Sequence, residues 1–551
     1  MVFSREAYRA LEDCVGPENI SDDPVLCDTY AYQYLAELVR ADHSNHFMPR
    51  PVAAIMPGST EEVQAIVKVC NKYKIKVKPF STGWYFYAAP QKDGVDTVNL
   101  DLRRMNRILE LDEKNMFAVV EPYVICATLQ AEAMKVGLNC TITGAGASTS
   151  PLASATSYGG VGPGIMRLGT NGDNMLAIEW VMLNGEILRT GSLGYGAGWF
   201  CSEGPGPSMR AICKGGQGAK GGMGVYTKIG IRLSPWPGPA QLPVEGRPPA
   251  YRSPLPETMR AYTLAFPSWE AYAKSYRMLY DEQIGYAAHR QFNMVGADLA
   301  GAFWELHADP TKTLGDIEDL VKKPEIKEFN DELRRSYQIC LAGFSLRDIE
   351  FQDKVLDHIL AETGGWKVTR MEEKDMKEFT HLCMNRLGHK ALNFVWTGGW
   401  VGSHSLPLSP ESLMTMRDIA EKQMFDDQES GLLVQCGGDS MMGRVAGPDN
   451  RPGCNFEQFC HYDPADKESV AQAEEHMRRS TRNLNKHGFP AGKEEDYLTA
   501  MIPEEELWKV FLKRGQAFGY HVQRKIKAVI DPNDLGDRYY ETIPDSVPDN
   551  H

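Results

Sequence analysis

"VAAIMPGSTEEVQAIVKVCNKYKIKVKPFSTG", residues 52–83, sets the frame for the whole chain. It opens on a short apolar run, VAAIMP, that reads as a strand. Ser59 followed by Glu62 three positions on forms a capping box, in which serine and glutamate satisfy the free N–H groups that begin a helix. Val63, Ile66, Val67 and Cys70 then fall on one helical face, and KIKVKPF alternates as a second strand. This strand–helix–strand unit delivers the chain into residues 79–90, PFSTGWYFYAAP. The left end of that loop, Ser81, Thr82 and Gly83, offers two hydroxyls and a bare backbone of the kind that admits a phosphate. Its middle holds Trp84, Tyr85, Phe86 and Tyr87, where a phosphate loop would normally keep glycine.

Further strands are expected at DTVNLDL and FAVVEPYV, with RMNRILELDEKN between them and a helix from about Ala127 to Val136. TITGAGASTSPLASATSYGGVGPGIMRLGTNGDN follows, with almost no large side chain before Tyr158. LAIEWVMLNGEILRTG reads as strand–turn–strand, Asn184-Gly185 suiting a type I′ turn. GGMGVYTKIGIRLSPWPG is a glycine approach to a strand that prolines stop. The Pro-rich run at 237–256 is a natural boundary. Beyond it, long amphipathic helices such as DIEFQDKVLDHILAETGG and SVAQAEEHMRRSTRNLNKHG alternate with the strand-like runs YTLAFP, WKVTRM, ALNFVW and GLLVQC, an α+β pattern.

Bulk properties narrow the function. At 551 residues the chain needs two or more domains. A net charge of −14 argues against a nucleic-acid partner, since phosphate-backbone binders concentrate Lys and Arg. No apolar run spans a bilayer, and charges interrupt the N-terminus where a signal peptide would be apolar. The twelve cysteines lie scattered without a CxxC pair, so a metal centre is not expected and buried reduced thiols are. A cytoplasmic location is the expectation.

The order of these pieces resembles the flavin domain of the vanillyl-alcohol oxidase and para-cresol methylhydroxylase family, over residues 50 to 240 closely and more loosely to KIKAVIDPND. The resemblance implies an α+β, two-domain FAD-binding fold of the PCMH type with an α+β cap. The FAD domain would comprise residues 1–240, the substrate or cap domain 241–488, and residues 489–551 would return to the FAD domain. It implies an FAD-dependent oxidoreductase acting on a small organic substrate, forming a homo-oligomer, with an electron-acceptor protein as a further partner. A pyrophosphate needs converging backbone N–H groups, hence small side chains. Gly144, Gly146, Ser148, Ser150 and Ser154 fit that need, with Gly224-Val225 placed where the family's backbone meets the cofactor.

The departures from the family pattern bear on chemistry. Ala88-Ala89-Pro90 anchors a register in which Tyr85 falls on the tyrosine that helps bind a phenolic oxygen in relatives, and Phe86 and Tyr87 replace two glycines. That answers the crowding of the loop: hydroxyls and Gly83 face the phosphates, and rings face the substrate. The relatives' Tyr-Arg pair is missing from GFPAGKEEDYLTAM, leaving Lys493 as the nearest cation there. Arg167, His404 and Lys493 are the candidates to face a developing oxyanion, beside Tyr85. In FVWTGGWVGSHSLPLSP, Trp400 stands where relatives with covalent flavin offer a histidine, so FAD is expected to be non-covalent, with the indole packed on the ring edge. An aromatic or phenolic alcohol is the leading substrate class. A 2-hydroxy acid, as in the glycolate- and lactate-oxidising branch, and a non-catalytic flavin-binding subunit of a larger complex are the alternatives.

Overall fold

The computed structural model describes the chain apart from residues 1–2, 34–35, 40–46, 84–87, 91–94, 144–145, 158, 205, 207, 215–217, 220–221, 248–249, 292–310, 312–315, 317–318, 320–322, 370–398, 405–408, 431–434, 445–451, 488–516 and 538–551. The opening stretch folds as its pattern dictates. Strand Ala53–Ile55 leads to helix Thr60–Tyr73, whose N-cap Ser59 accepts from the Glu62 N–H. The Glu62 carboxylate reaches back to the Gly58 N–H at 2.7 Å, closing the capping box one residue earlier than the usual form. Val63, Ile66, Val67 and Cys70 are completely buried. Each apolar side chain so placed contributes about 1.5–3 kcal/mol relative to exposure. The helix carries the chain across to strand Lys76–Phe80, so Ala53–Ile55 and Lys76–Phe80 both run parallel to Thr97–Asp101 between them. Strand Ile20–Ser21 completes this first sheet, antiparallel at its edge.

The second sheet is antiparallel, in the order Ile108–Asp112, Phe117–Val120, Val225–Arg232, Met175–Val181, Ile187–Arg189. Part of the charged run RMNRILELDEKN is therefore its edge strand, with Glu110 exposed. The hairpin at Asn184-Gly185 departs from the expected type I′ turn. Gly185 has φ +89° but Asn184 has no positive φ, and the Gly185 N–H bonds the Met182 carbonyl. The glycine thus occupies the left-handed position that closes a longer loop.

The third sheet has seven antiparallel strands in the order Trp366–Lys367, Met259–Ala265, Ser336–Ala342, Ala287–Gln291, Gln435–Arg444, Pro452–Tyr462, Gly399–His404. Helices Trp269–Asp281, Leu346–Thr363 and Pro410–Glu429 cover it, burying Tyr272, Tyr276, Leu356, Ile359 and Met416 against Leu264 and Ile339. Gly364, at φ +66°, ends the second of these helices, as its glycine pair foretells. ALNFVW lies outside the described residues.

After helix Ala517–Ile530 the chain lies on the first two sheets. The Val77 N–H donates to the Leu535 carbonyl at 2.7 Å, and the Asp537 N–H donates to the Val77 carbonyl at 3.0 Å. Lys527 donates to the Gly222 carbonyl and to Asp531, and Leu535 packs among Val77, Val98 and Leu183. Six of the eight cysteines whose side chains are described are buried; burial pushes the Cys27 and Cys126 thiols up to about 11 and Cys213 to about 12.

One buried carboxylate ties the first two sheets together. Glu179, in strand Met175–Val181, accepts from Thr60 at 2.7 Å, Lys228 at 2.7 Å and Arg189 at 2.9 Å. Burial alone would raise its pKa, but Lys228, Thr60 and Arg189 outweigh burial and hold it below the ordinary value. Because the folded pKa is depressed below an unfolded value of about 4.3, the contribution is complete above that pH. It is lost as pH falls through the lower folded value. Glu179→Ala is expected to lower the unfolding free energy at pH 7 by about 3 kcal/mol, since Lys228 and Arg189 lose their counter-charge. Urea titration at pH 7 and between pH 5 and 3 checks both, Glu179→Gln giving the flatter acid limb.

Candidate functional site

A cleft of about 120 Å³ opens between the first and second sheets. The end of strand Lys76–Phe80 and its loop supply Phe80, Ser81, Thr82 and Gly83; Thr143, Thr149, Ser150, Ser154 and Thr156 are among the residues of the opposite wall; Tyr226 and Ala219 lie at its base. Among the described lining residues there is no Asp, Glu, His, Lys or Arg. The Tyr226 phenol is the exception to a wholly non-titrating surface, and burial pushes its pKa well up. An anion bound here would meet neutral groups, with no cation among the described lining residues.

The small-residue segment builds this wall by turning on itself. The Gly146 N–H donates to the Thr143 carbonyl, and both the N–H and the hydroxyl of Thr149 return to the Gly146 carbonyl. Helix Pro151–Ser157 follows, with Ser150 Oγ accepting from the Ala153 N–H. Ser154 Oγ accepts from Asn171 Nδ2 at 2.7 Å. Asn171 Oδ1 is buried without a hydrogen-bond partner, and the buried Thr143 and Tyr226 hydroxyls have no oxygen or nitrogen partner. The Cys126 and Cys213 thiols are the polar neighbours of the two hydroxyls. Buried polar atoms left open beside a cleft are what a polar ligand satisfies.

Of the residues singled out from sequence, Ser81, Thr82, Gly83, Ser150 and Ser154 line this cleft together. The Ser81 hydroxyl donates to the Pro122 carbonyl, so it turns lone pairs rather than a proton to an anion. Gly83 has φ +69°, and a Cβ there would lie 2.5 Å from the Phe80 ring; the loop folds tightly over that ring. Gly146 and Ser148 belong to the turn behind the wall, and Ser148 is exposed. Gly224 and Val225 start strand Val225–Arg232 and do not line the cleft. Arg167, exposed at the end of helix Ile165–Leu168, lines a different cavity. Tyr85, Gly144 and Lys493 lie outside the described residues. So do the side chains of Trp400 and His404, whose strand pairs Trp400 with His461 and His404 with Glu457. Sequence reasoning passed over Thr143, Thr149, Thr156 and Tyr226. The threonines lay in plain view in the small-residue segment, whereas nothing local marks Tyr226, which arrives from another strand.

Gly224 answers to packing. At φ +137°, a Cβ would lie 2.4 Å from Trp180 Nε1 and 2.5 Å from the Val181 carbonyl. The Trp180 indole donates to the Met223 carbonyl at 3.1 Å and is fully buried. Gly224→Ala is expected to destabilise the protein by at least about 2 kcal/mol, read as a fall in the thermal unfolding midpoint. An unchanged midpoint with reduced ligand content would instead place Gly224 against the ligand.

Comparison with known proteins agrees with this geometry. Residues 51–191 match the FAD binding domain family. The chain is 29% identical over 232 residues to the 4-cresol dehydrogenase (hydroxylating) flavoprotein subunit of Pseudomonas putida, covering 40% of this chain and 41% of that protein. It is 24% identical over 238 residues to glycolate oxidase subunit GlcD of Bacillus subtilis, covering 43% and 46%. The matches thus span less than half the length of either relative. The structure superposes on p-cresol methylhydroxylase with substrate bound at a TM-score of 0.72 and 17% identity, over 97% of this chain and 96% of that one. For 4-ethylphenol oxidase from Gulosibacter chungangensis the TM-score is 0.71 at 20% identity, over 97% of each chain. The chain carries an FAD binding domain and has the PCMH-type α+β fold that its sequence led us to expect.

Proposed function

We propose that the chain is an FAD-dependent oxidoreductase that oxidises a small aromatic or phenolic alcohol. The observation that carries the reading is the cleft inside the FAD binding domain, whose described lining bears hydroxyls and no charged side chain, with Asn171 Oδ1 buried and open beside it. That neutral lining, rich in small side chains that leave the backbone approachable, suits a diphosphate ester. A bound flavin supplies the hydride acceptor at its N5 atom. The chain's own part is to hold the substrate, exclude water and take up its proton. The described lining cannot supply a base that titrates near neutrality, so that group comes from elsewhere, with Tyr85, His404 and Lys493 the candidates. Arg167, in its separate cavity, is not given this role.

The phenol-oxidising proteins that share the fold over nearly the whole chain favour the aromatic class. The likeness to the glycolate oxidase subunit keeps a 2-hydroxy acid as the second reading. No arginine lines the described cleft to clamp a carboxylate, which weighs against it. The same proposal takes the FAD domain as residues 1–240, the cap as 241–488 and the returning segment as 489–551; the contacts of residues 517–537 with the first two sheets support it. A homo-oligomer, an acceptor protein and a cytoplasmic location complete it. No helix among the described residues is long and apolar enough to cross a membrane.

Mixing the flavin-loaded protein anaerobically with 4-hydroxybenzyl alcohol is expected to bleach the flavin band, with D-lactate and glycolate at least about tenfold slower. Faster bleaching by the acids would move the assignment to the hydroxy-acid class, and no bleaching by any of them to a non-catalytic subunit. Tyr85→Phe is expected to slow the phenolic substrate about tenfold while leaving flavin content unchanged. Acid precipitation is expected to release the yellow colour into the supernatant; colour kept in the pellet would mean a covalent flavin.

A further inference from the structure

A second cavity, of about 360 Å³, lies where strand Val225–Arg232 and helix Ile165–Leu168 meet the seven-stranded sheet, and it shares no lining residue with the cleft. Arg167 and Arg232 come from one side of it; Glu282, Phe344, Asp348 and Phe351 come from the other. Arg167 is exposed and makes no hydrogen bond or ion pair among the described residues. The phenol it faces, Tyr286, is no counter-ion: burial pushes its pKa up, and its oxygen accepts from Asn139. Arg232 is held by the neutral amide oxygen of Asn174 at 2.7 and 3.0 Å.

The two acids across the cavity are not equivalent. Asp348 is occupied at the start of helix Leu346–Thr363, accepting from the Phe344 N–H at 3.0 Å and from Gln352 at 3.2 Å. Glu282, just past helix Trp269–Asp281, is exposed and makes no ion pair among the described residues. Phe344 and Phe351 stand at the same opening, 63% and 58% exposed. Apolar rings beside an unpaired guanidinium offer both a platform and a planar two-pronged donor. The volume falls in the range of small-ligand pockets.

We propose that this seam cavity is a second binding site, for a small aromatic monocarboxylate. The carboxylate is received by Arg167, and its ring lies on Phe344 and Phe351. Glu282 opposes a second negative charge, so a monocarboxylate is preferred over a dicarboxylate of the same ring. The site depends on no redox step and stands apart from the reading of the cleft.

Calorimetric titration of the flavin-loaded protein with sodium benzoate tests it, with the visible flavin spectrum followed in parallel. The expected result is one site of Kd about 1 mM or tighter that leaves the flavin band unmoved. Arg167→Met weakens it at least about tenfold, Arg167→Lys restores part of the loss, and phthalate binds more weakly than benzoate. Phe351→Ala, on the opposite wall, lowers affinity for benzoate and not for acetate, and carries the test if Arg167→Met does not fold. Three outcomes overturn the proposal: no binding up to about 10 mM, affinity unchanged in both variants, or binding whose heat tracks a shift of the flavin band.

Discussion

Glu179 is the point on which the geometry of the cleft depends. The two sheets that flank the opening share no strand, so their relation is set by what bridges them. Thr60 comes from the helix over the first sheet, and Lys228 and Arg189 come from the second; all three converge on one buried carboxylate. A charged group taken out of water is tolerated only when it is this fully partnered, and the partnering admits little variation in position. Trp180, the next residue, packs its ring at a tilt against Tyr226 with centroids 5.3 Å apart, and Tyr226 reaches the cleft base. The anchor that joins the sheets therefore also fixes the base of the site.

A cleft whose described lining carries no charged side chain has consequences for chemistry. Neutral donors recognise an anion by direction, so position is demanding and long-range attraction is weak. The protein carries −14 overall, which further disfavours indiscriminate capture of phosphates. Selectivity rests on the number of N–H and O–H groups that can converge at once. Arg167, one of the sequence candidates to face an oxyanion, lines the cavity at the seam with the seven-stranded sheet, where its charge faces solvent and exposed rings.

The fold was legible where local pattern and global position agree. The capping box at Ser59, the apolar face of Val63, Ile66, Val67 and Cys70, and the glycine stop at Gly364 each state their structure within a dozen residues, and each is found as read. The loop at Asn184-Gly185 was misread because the same dipeptide serves two closures, and only the partner bond at Met182 distinguishes them. In the site, Ser150 and Ser154 were legible because small residues ahead of a short helix announce an open backbone. Gly224 was assigned to the ligand for the same reason, yet the Trp180 ring demands it, and a ring arriving from another strand leaves no mark in the local sequence. Tyr226 escaped notice on that ground too. Where a side chain's role is set by a neighbour dozens of residues away, no spacing rule records it.

The bond between Val77 and residues 535–537 has a bearing on biosynthesis. Strand Lys76–Phe80 is an edge of its sheet, and the backbone groups of Val77 are satisfied by a segment made some 460 residues later. At translation rates of about 5–20 residues per second, that edge waits roughly 20 to 90 s for its partner. Lys76 and Lys78, alternating with Val77, place charges along the waiting edge, a feature that discourages pairing with the wrong strand. Completion of this edge is in that sense a late event in the life of the nascent chain, and the seven-stranded sheet must be made before it.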